Sequence, residues 1–245
     1  IYGAPTTGKT TLLKTIFLSL GLNFTPDDVQ IYVIDCGGWS TSIFSTMPHV
    51  GGIAMDCESE KIEKLEKLLL NELEARKKRF LGCHVSSLSA YRESVGNDLA
   101  AWILAVDNFP ALFELYPEME NTLVTLARDG AAYGIYLLYT ANSSNGVRYK
   151  VQQNIKGAVA FELMDKGDYT SLVGRMDGIF LEKITGRAVV KGKPPCMFQS
   201  AIYMAGETET ERAKKLQELL GRMNAQWKGR RPERIPVMPE TVRME

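Results

Sequence analysis

Runs of β-branched and aliphatic residues alternate with segments whose apolar positions recur every three or four residues, so the chain reads as strands interleaved with helices. Gln30 to Asp35 is an almost unbroken apolar run, the pattern of a strand buried on both faces, and Cys36-Gly37-Gly38 ends it. Gly52 to Met55 predicts a second short strand, Ala101 to Asp107 a third and Ile135 to Thr140 a fourth. Helical spacing puts Leu12, Leu13, Ile16, Phe17 and Leu20 on a first helix, and Ile62, Leu65, Leu68, Leu69, Leu73 and Phe80 on a second from about Glu58 to Leu81. Lys64, Lys67, Arg76, Lys77, Lys78 and Arg79 share that second helix with many glutamates, which reads as a solvated face. A further helix is expected over Ala111 to Ala132, strands over Gly157–Glu162, Arg187–Val190 and Phe198–Tyr203, and an amphipathic helix over Glu207 to Trp227. Together these elements predict an α/β fold with a mostly parallel central sheet flanked by helices. From Gly229 onward Pro232, Pro236 and Pro239 interrupt any regular pattern, so the expected organisation is a folded unit over 1–228 and a proline-containing tail over 229–245.

Composition narrows the function. With 245 residues, 45% of them hydrophobic, the chain can bury a substantial core. Lys+Arg and Asp+Glu both total 29, so there is no global attraction for polyanions, and DNA is not an expected partner unless a local patch supplies it. The four cysteines are scattered without C-x-x-C spacing and read as reduced thiols. The two histidines, His49 and His84, stand beside no nucleophile pattern and read as surface or packing residues. No apolar run reaches membrane-spanning length, so this segment is expected to be soluble.

The chemistry is concentrated at the start. Gly3-Ala4-Pro5-Thr6-Thr7-Gly8-Lys9-Thr10 is a complete G-x-x-x-x-G-K-[ST] phosphate-binding loop, and Thr11 carries it into the first helix. Backbone N–H groups and the positive end of that helix suit a triphosphate, Lys9 would reach its β- and γ-phosphates, and the Thr10 hydroxyl would ligate Mg²⁺. ATP and Mg²⁺ are therefore the expected cofactors. Ala101 to Asp107, apolar and ending in a carboxylate, matches the strand that delivers the second nucleotide motif, with Asp107 on the Mg²⁺ shell opposite Thr10. Thr140, at the C-terminal end of the fourth strand, reads either as a sensor of the γ-phosphate or as part of a simple polar loop. Such a loop ordinarily follows a buried strand, of which only Ile1 and Tyr2 are present here, so the chain is expected to be a piece of a longer polypeptide.

The order of these motifs carries a family resemblance. The phosphate loop, Asp35-Cys36-Gly37-Gly38, the Glu72–Arg79 stretch, Val106-Asp107, Arg128-Asp129-Gly130-Ala131-Ala132-Tyr133-Gly134-Ile135 and Asp168–Gly174 together resemble the FtsK/SpoIIIE family of RecA-like P-loop NTPases across nearly the whole chain. Within that family the chain looks most like the last ATPase module of the type VII secretion proteins EssC and EccC. The resemblance implies a module on the cytoplasmic face of a membrane-anchored export machine, with sister ATPase modules and secreted WXG-type helical proteins as partners. A homo-oligomer, in particular a hexamer of the full machine, stays open.

One position departs from the family pattern. Hydrolysing members place Glu directly after the strand-terminal Asp, where it activates the attacking water; here that residue is Asn108, which implies firm nucleotide binding and poor hydrolysis. The loop also carries Thr6 and Thr7 where many active relatives have a further glycine. Arg175 and Arg187 fall in the family's late loops and read either as structural ion pairs or as residues that complete a neighbouring module's site. Two alternatives stand beside the secretion reading: a double-stranded DNA translocase motor, and a peptide-docking domain with a vestigial nucleotide site.

Overall fold

The computed structural model describes residues 1–176, 178–181 and 183–237. In chain order the elements are α1 (Lys9–Asn23), β1 (Val29–Asp35), β2 (Val50–Met55), α2 (Ser59–Gly82), α3 (Leu88–Ser94), β3 (Ala101–Asp107), α4 (Phe109–Leu115), α5 (Glu120–Asp129), β4 (Ile135–Tyr139), α6 (Tyr149–Gln152), β5 (Val159–Ala160), α7 (Gly167–Leu172), β6 (Arg187–Val190), β7 (Cys196–Gln199) and α8 (Glu209–Gln226). Strands β2-β1-β3-β4 form a parallel sheet in that order, and β5-β6-β7 form an antiparallel one.

Ile1 and Tyr2 join the two sheets. Tyr2 bridges in parallel to Ala141 on one side and Ala160 on the other, and its N–H donates to the Val159 carbonyl at 2.7 Å. These two residues hold the central place between β4 and β5, where the sequence leads directly into Gly3. The phosphate loop therefore emerges at the C-terminal edge of the parallel strands, where open α/β sheets bind ligands.

Both faces of the parallel sheet are covered, which explains the continuous apolar runs. Side chains alternate along a strand, so Tyr32 and Ile34 of β1 pack with Ile62, Leu65, Leu69 and Leu73 of α2, while Ile31 and Val33 face Leu13 and Phe17 of α1 and Leu216 and Leu220 of α8. β3 does the same, sending Trp102, Leu104 and Val106 one way and Ala105 the other. Every residue of β1 is buried.

Several expectations from the sequence are corrected, among them the strand expected over Phe198–Tyr203, which runs instead over Cys196–Gln199 because only those residues pair with β6. The helix expected over Ala111 to Ala132 is broken after Leu115 at Tyr116-Pro117, because proline restricts the residue before it and cannot donate to a continuing helix. The strand expected over Gly157–Glu162 regularises only over Val159–Ala160. Arg76 does not belong to a solvated face: it is 2% exposed, donates to Glu72, to the carbonyls of Tyr133 and Gly134 and to that of Ala100 at 2.8 Å, and so ties α2 to the starts of β3 and β4. Arginine suits this position because its planar fork serves several acceptors at once.

Residues 229–237 form no helix or strand, yet they lie against the sheet. Tyr32 donates its phenolic O–H to the Glu233 carbonyl at 2.8 Å, and Ile235 is buried over Gly52, whose missing side chain leaves the room. Residues 238–245, with Pro239, lie outside the described residues.

Candidate functional site

The phosphate loop is built by backbone geometry that its sequence makes possible. Gly8 caps α1 with φ 112°, a left-handed conformation open to glycine, and a Cβ at Gly3 would come within 2.7 Å of Phe161 Cβ. Thr6 also has positive φ, 64°, and the Thr7 hydroxyl donates to the Ala4 carbonyl at 2.8 Å. Pro5 and Thr6 form the exposed crest of the loop, while Gly3 and Ala4 are buried at its base. Lys9 folds over this hollow and donates to the carbonyls of Gly3 and Ala4 at 2.6 and 2.9 Å. Desolvation lowers its pKa, and Asp107 opposes that shift. An ammonium group resting on two neutral carbonyls is a cation for which an entering polyphosphate would be the stronger partner.

Opposite the loop, β3 delivers Asp107, which is 2% exposed. The Thr10 hydroxyl lies 3.2 Å from its Oδ2 and 3.5 Å from Oδ1, so the two expected metal-facing groups, 97 residues apart in sequence, meet. Burial is the largest influence on the Asp107 carboxyl and raises its pKa, the nearby Asp35 adds to that, and the hydroxyls of Thr140 and Thr10 oppose it. A carboxylate held away from water beside a threonine hydroxyl fits a hydrated magnesium ion. The donor set and the cradle therefore fit a Mg-nucleotide, which Gly8, Lys9 and Thr10 would hold by its phosphates and Thr10 and Asp107 by its metal.

Thr140 and Asn108 complete this edge. The Thr140 hydroxyl donates to Asp107 Oδ1 at 2.5 Å and accepts from the Asn108 backbone N–H at 2.8 Å. At 1% exposed it anchors the Asp107 carboxylate. Asn108 occupies the left-handed region with φ 61°, which asparagine tolerates better than most residues, and its side-chain N–H donates to the Cys36 carbonyl at 3.0 Å. The amide is thus a brace between the ends of β3 and β1.

Asp35 is a residue whose role the sequence did not disclose. Fully buried, it accepts from the N–H groups of Gly37, Trp39 and Thr41 and from the Thr41 hydroxyl, and so fixes the loop beside Asp107. Gly37 belongs to the same device, since a Cβ there would lie 2.5 Å from Asp107 Oδ2. The Asp-Cys-Gly-Gly run was the available signal: a carboxylate at a strand end, followed by glycines, is a turn that folds its own N–H groups onto the acid.

The late arginines lie after α7 and at the start of β6. Arg187 Nε donates to Gln199 Oε1 at 3.0 Å across the β6–β7 pair, and Arg175 is exposed beside a groove it shares with Lys191, Lys193 and Pro194. Among the described residues no cluster of three or more His, Cys, Asp or Glu could hold a metal by itself, and no helix is long and apolar enough to cross a membrane.

Comparison with known proteins agrees with this geometry. The chain is 29% identical over its full length to the ESX secretion system protein EccC of Geobacillus thermodenitrificans and 25% identical to the type VII secretion system protein EssC of Staphylococcus aureus, spanning 16% and 17% of their lengths. It superposes on the solved structure of EssC ATPases 2 and 3 from Geobacillus thermodenitrificans with a TM-score of 0.92 and 28% identity, covering 99% of this chain and 47% of that one. The solved ATPases 2 and 3 of Thermomonospora curvata EccC, in complex with a signal sequence peptide, match with a TM-score of 0.84 and 25% identity over 97% of this chain and 44% of that one. The FtsK/SpoIIIE family model matches residues 1–193; with its phosphate loop, Asp107-bearing strand and RecA-like P-loop ATPase fold, the chain belongs to the FtsK/SpoIIIE family.

Proposed function

We propose that this chain is an ATP-binding module of a membrane-anchored type VII secretion ATPase, binding Mg-ATP firmly and hydrolysing it slowly. The observation that carries the reading is the meeting of Thr10 and Asp107 in front of the phosphate loop, with an asparagine amide at the next residue. Lys9, the loop N–H groups and Thr10 hold the triphosphate, and Asp107, kept in place by Thr140, faces the metal ion. Magnesium would neutralise phosphate charge there. The Asn108 amide is essentially non-basic and donates to the Cys36 carbonyl, so no general base is available at that position. The bound nucleotide then acts as structural cement or as a signal to sister modules of the same polypeptide.

The secretion context rests on the full-length similarity to EccC and EssC, and the zero net charge supports a protein rather than DNA as cargo. The Thermomonospora curvata relative is solved with a signal sequence peptide, which supports a role in receiving small helical WXG-type substrates. Titration of Mg-ATP by calorimetry against the wild type and Lys9→Ala tests the core of the proposal. Binding that is lost or weakened at least about tenfold in the variant supports it, because a charge-assisted phosphate contact is removed. Equal heats from the two folded proteins overturn it.

A further inference from the structure

The turn that follows β1 carries two marks of strain. Trp39 lies in the left-handed region with φ 63°, an outlier for so bulky a residue, and at 55% exposed it gains little core packing in return. Beside it the Ser40 hydroxyl oxygen is buried and has no hydrogen-bond partner among the described residues. A strained residue next to an orphaned hydroxyl persists only where the surroundings hold it, and such places cluster at functional sites and switches.

Two holds act on this turn. The buried Asp35 carboxylate accepts from the N–H groups of Gly37, Trp39 and Thr41. From the other side, the Trp39 indole Nε1 donates to Oδ1 of Asp56, the residue after β2, at 3.1 Å. Asp56 is a firm anchor: its N–H donates to the Asp35 carbonyl at 3.2 Å, and its carbonyl accepts from the Tyr116 hydroxyl at 2.6 Å.

The turn presses on one functional group. A Cβ at Gly37 would lie 2.5 Å from Asp107 Oδ2 and 2.9 Å from Cγ, so the Gly37 backbone is packed against that carboxylate. Oδ2 is the oxygen nearer the Thr10 hydroxyl, whereas Oδ1 is taken by Thr140. Only Gly38 separates Gly37 from Trp39, and with φ 98° and open space where a side chain would be, it is a free joint.

We propose that Trp39 is a positioning residue for the metal side of the site: its indole, latched to Asp56, holds Gly37 against Asp107 in a resting arrangement that Mg-ATP displaces, so the indole changes surroundings when the site is loaded. This inference rests on the Mg-ATP reading above. A cation on Oδ2 has to share the surface of that oxygen with the Gly37 backbone, and a shift of Gly37 reaches the indole through Gly38 alone. Linkage makes the coupling reciprocal: whatever loading does to the latch, the latch does to loading by the same factor. The latch therefore acts as a brake on the metal-dependent part of nucleotide binding.

The test pairs calorimetry with tryptophan emission on the whole chain, using ATP with Mg²⁺ and ATP in EDTA. Wild-type emission should change with Mg²⁺ and ATP together and not with ATP in EDTA. Trp39→Phe, which retains Trp102 and Trp227, should bind Mg-ATP without that change. Asp56→Ala removes the latch acceptor and should bind Mg-ATP about fivefold more tightly than the wild type, with its affinity in EDTA within about twofold. Asp56→Asn keeps a side-chain oxygen as acceptor and should return to wild-type behaviour. Mg-ATP binding seen by calorimetry with no change in wild-type emission overturns the proposal, and so does a change that survives in Trp39→Phe. An equal change in EDTA, or a folded Asp56→Ala that binds Mg-ATP no more tightly than the wild type, overturns it too. No calorimetric binding by the folded wild type overturns the Mg-ATP reading and this one together.

Discussion

Replacing Asn108 by glutamate tests the catalytic argument most directly, because the structure specifies both what the change adds and what it takes away. A carboxylate beside the Asp107 edge supplies a general base, an effect typically of about 10²–10⁴ in rate. Against that, Asn108 sits at φ 61°, ψ 62°, where a longer side chain without asparagine's local hydrogen bonding costs about 1 kcal/mol more. The 3.0 Å donation to the Cys36 carbonyl is also lost, a further cost of about 1 kcal/mol, and no donor replaces it. Asn108→Glu should therefore be less stable by about 2 kcal/mol, well within the reserve of a typical domain, while releasing phosphate from Mg-ATP at least about a hundredfold faster. Phosphate release at saturating nucleotide and a urea melt read the two effects separately. Asn108→Ala serves as the control, since it loses the brace without gaining a base, and its turnover should stay at the wild-type level. A folded, ATP-binding Asn108→Glu protein with unchanged turnover would refute the idea that the missing carboxylate limits the rate, as would motor-like hydrolysis by the wild type alone.

Two further outcomes follow from individual contacts. Thr140→Val keeps the shape but removes the donor to Asp107 and leaves the Asn108 N–H without its acceptor, so it should destabilise the fold by about 2–4 kcal/mol and weaken Mg-dependent ATP binding; Thr140→Ser should restore both, measured by denaturation and calorimetry, and a fully active valine variant would contradict the positioning role. His49 is 2% exposed, and although its ring bonds the Phe24 carbonyl through Nε2, Nδ1 has no hydrogen-bond partner; burial holds its pKa below 6.5. The folded state thus favours neutral imidazole, and the unfolded state takes up the proton first as pH falls. Stability contributed by His49 is present above its unfolded pKa and is lost as pH drops below it, so urea midpoints should fall from about pH 7.5 to 5.5 more steeply in the wild type than in His49→Gln.

What the sequence determined by itself was the part written in short, contiguous patterns. The phosphate loop declares itself because four fixed residue types within eight positions meet the needs of backbone amides around phosphate, and the strands of the parallel sheet because burial on both faces leaves apolar residues everywhere but at the ends of QIYVID and AWILAVD. The second helix emerges over Ser59–Gly82 for the same reason, its apolar stripe being long enough to fix the period. Tertiary structure decided what depends on distant residues. Arg76 carries a surface-like sequence context and is nonetheless buried, because its partners are carbonyls at Ala100, Tyr133 and Gly134. Asp35 is occupied by its own turn, Thr140 by Asp107, and the wall beside the loop comes from Gly186 and residues around 200. A local pattern records which face of an element is buried; which hydroxyl meets which carboxylate is settled only when strands far apart in the chain take neighbouring places in the sheet.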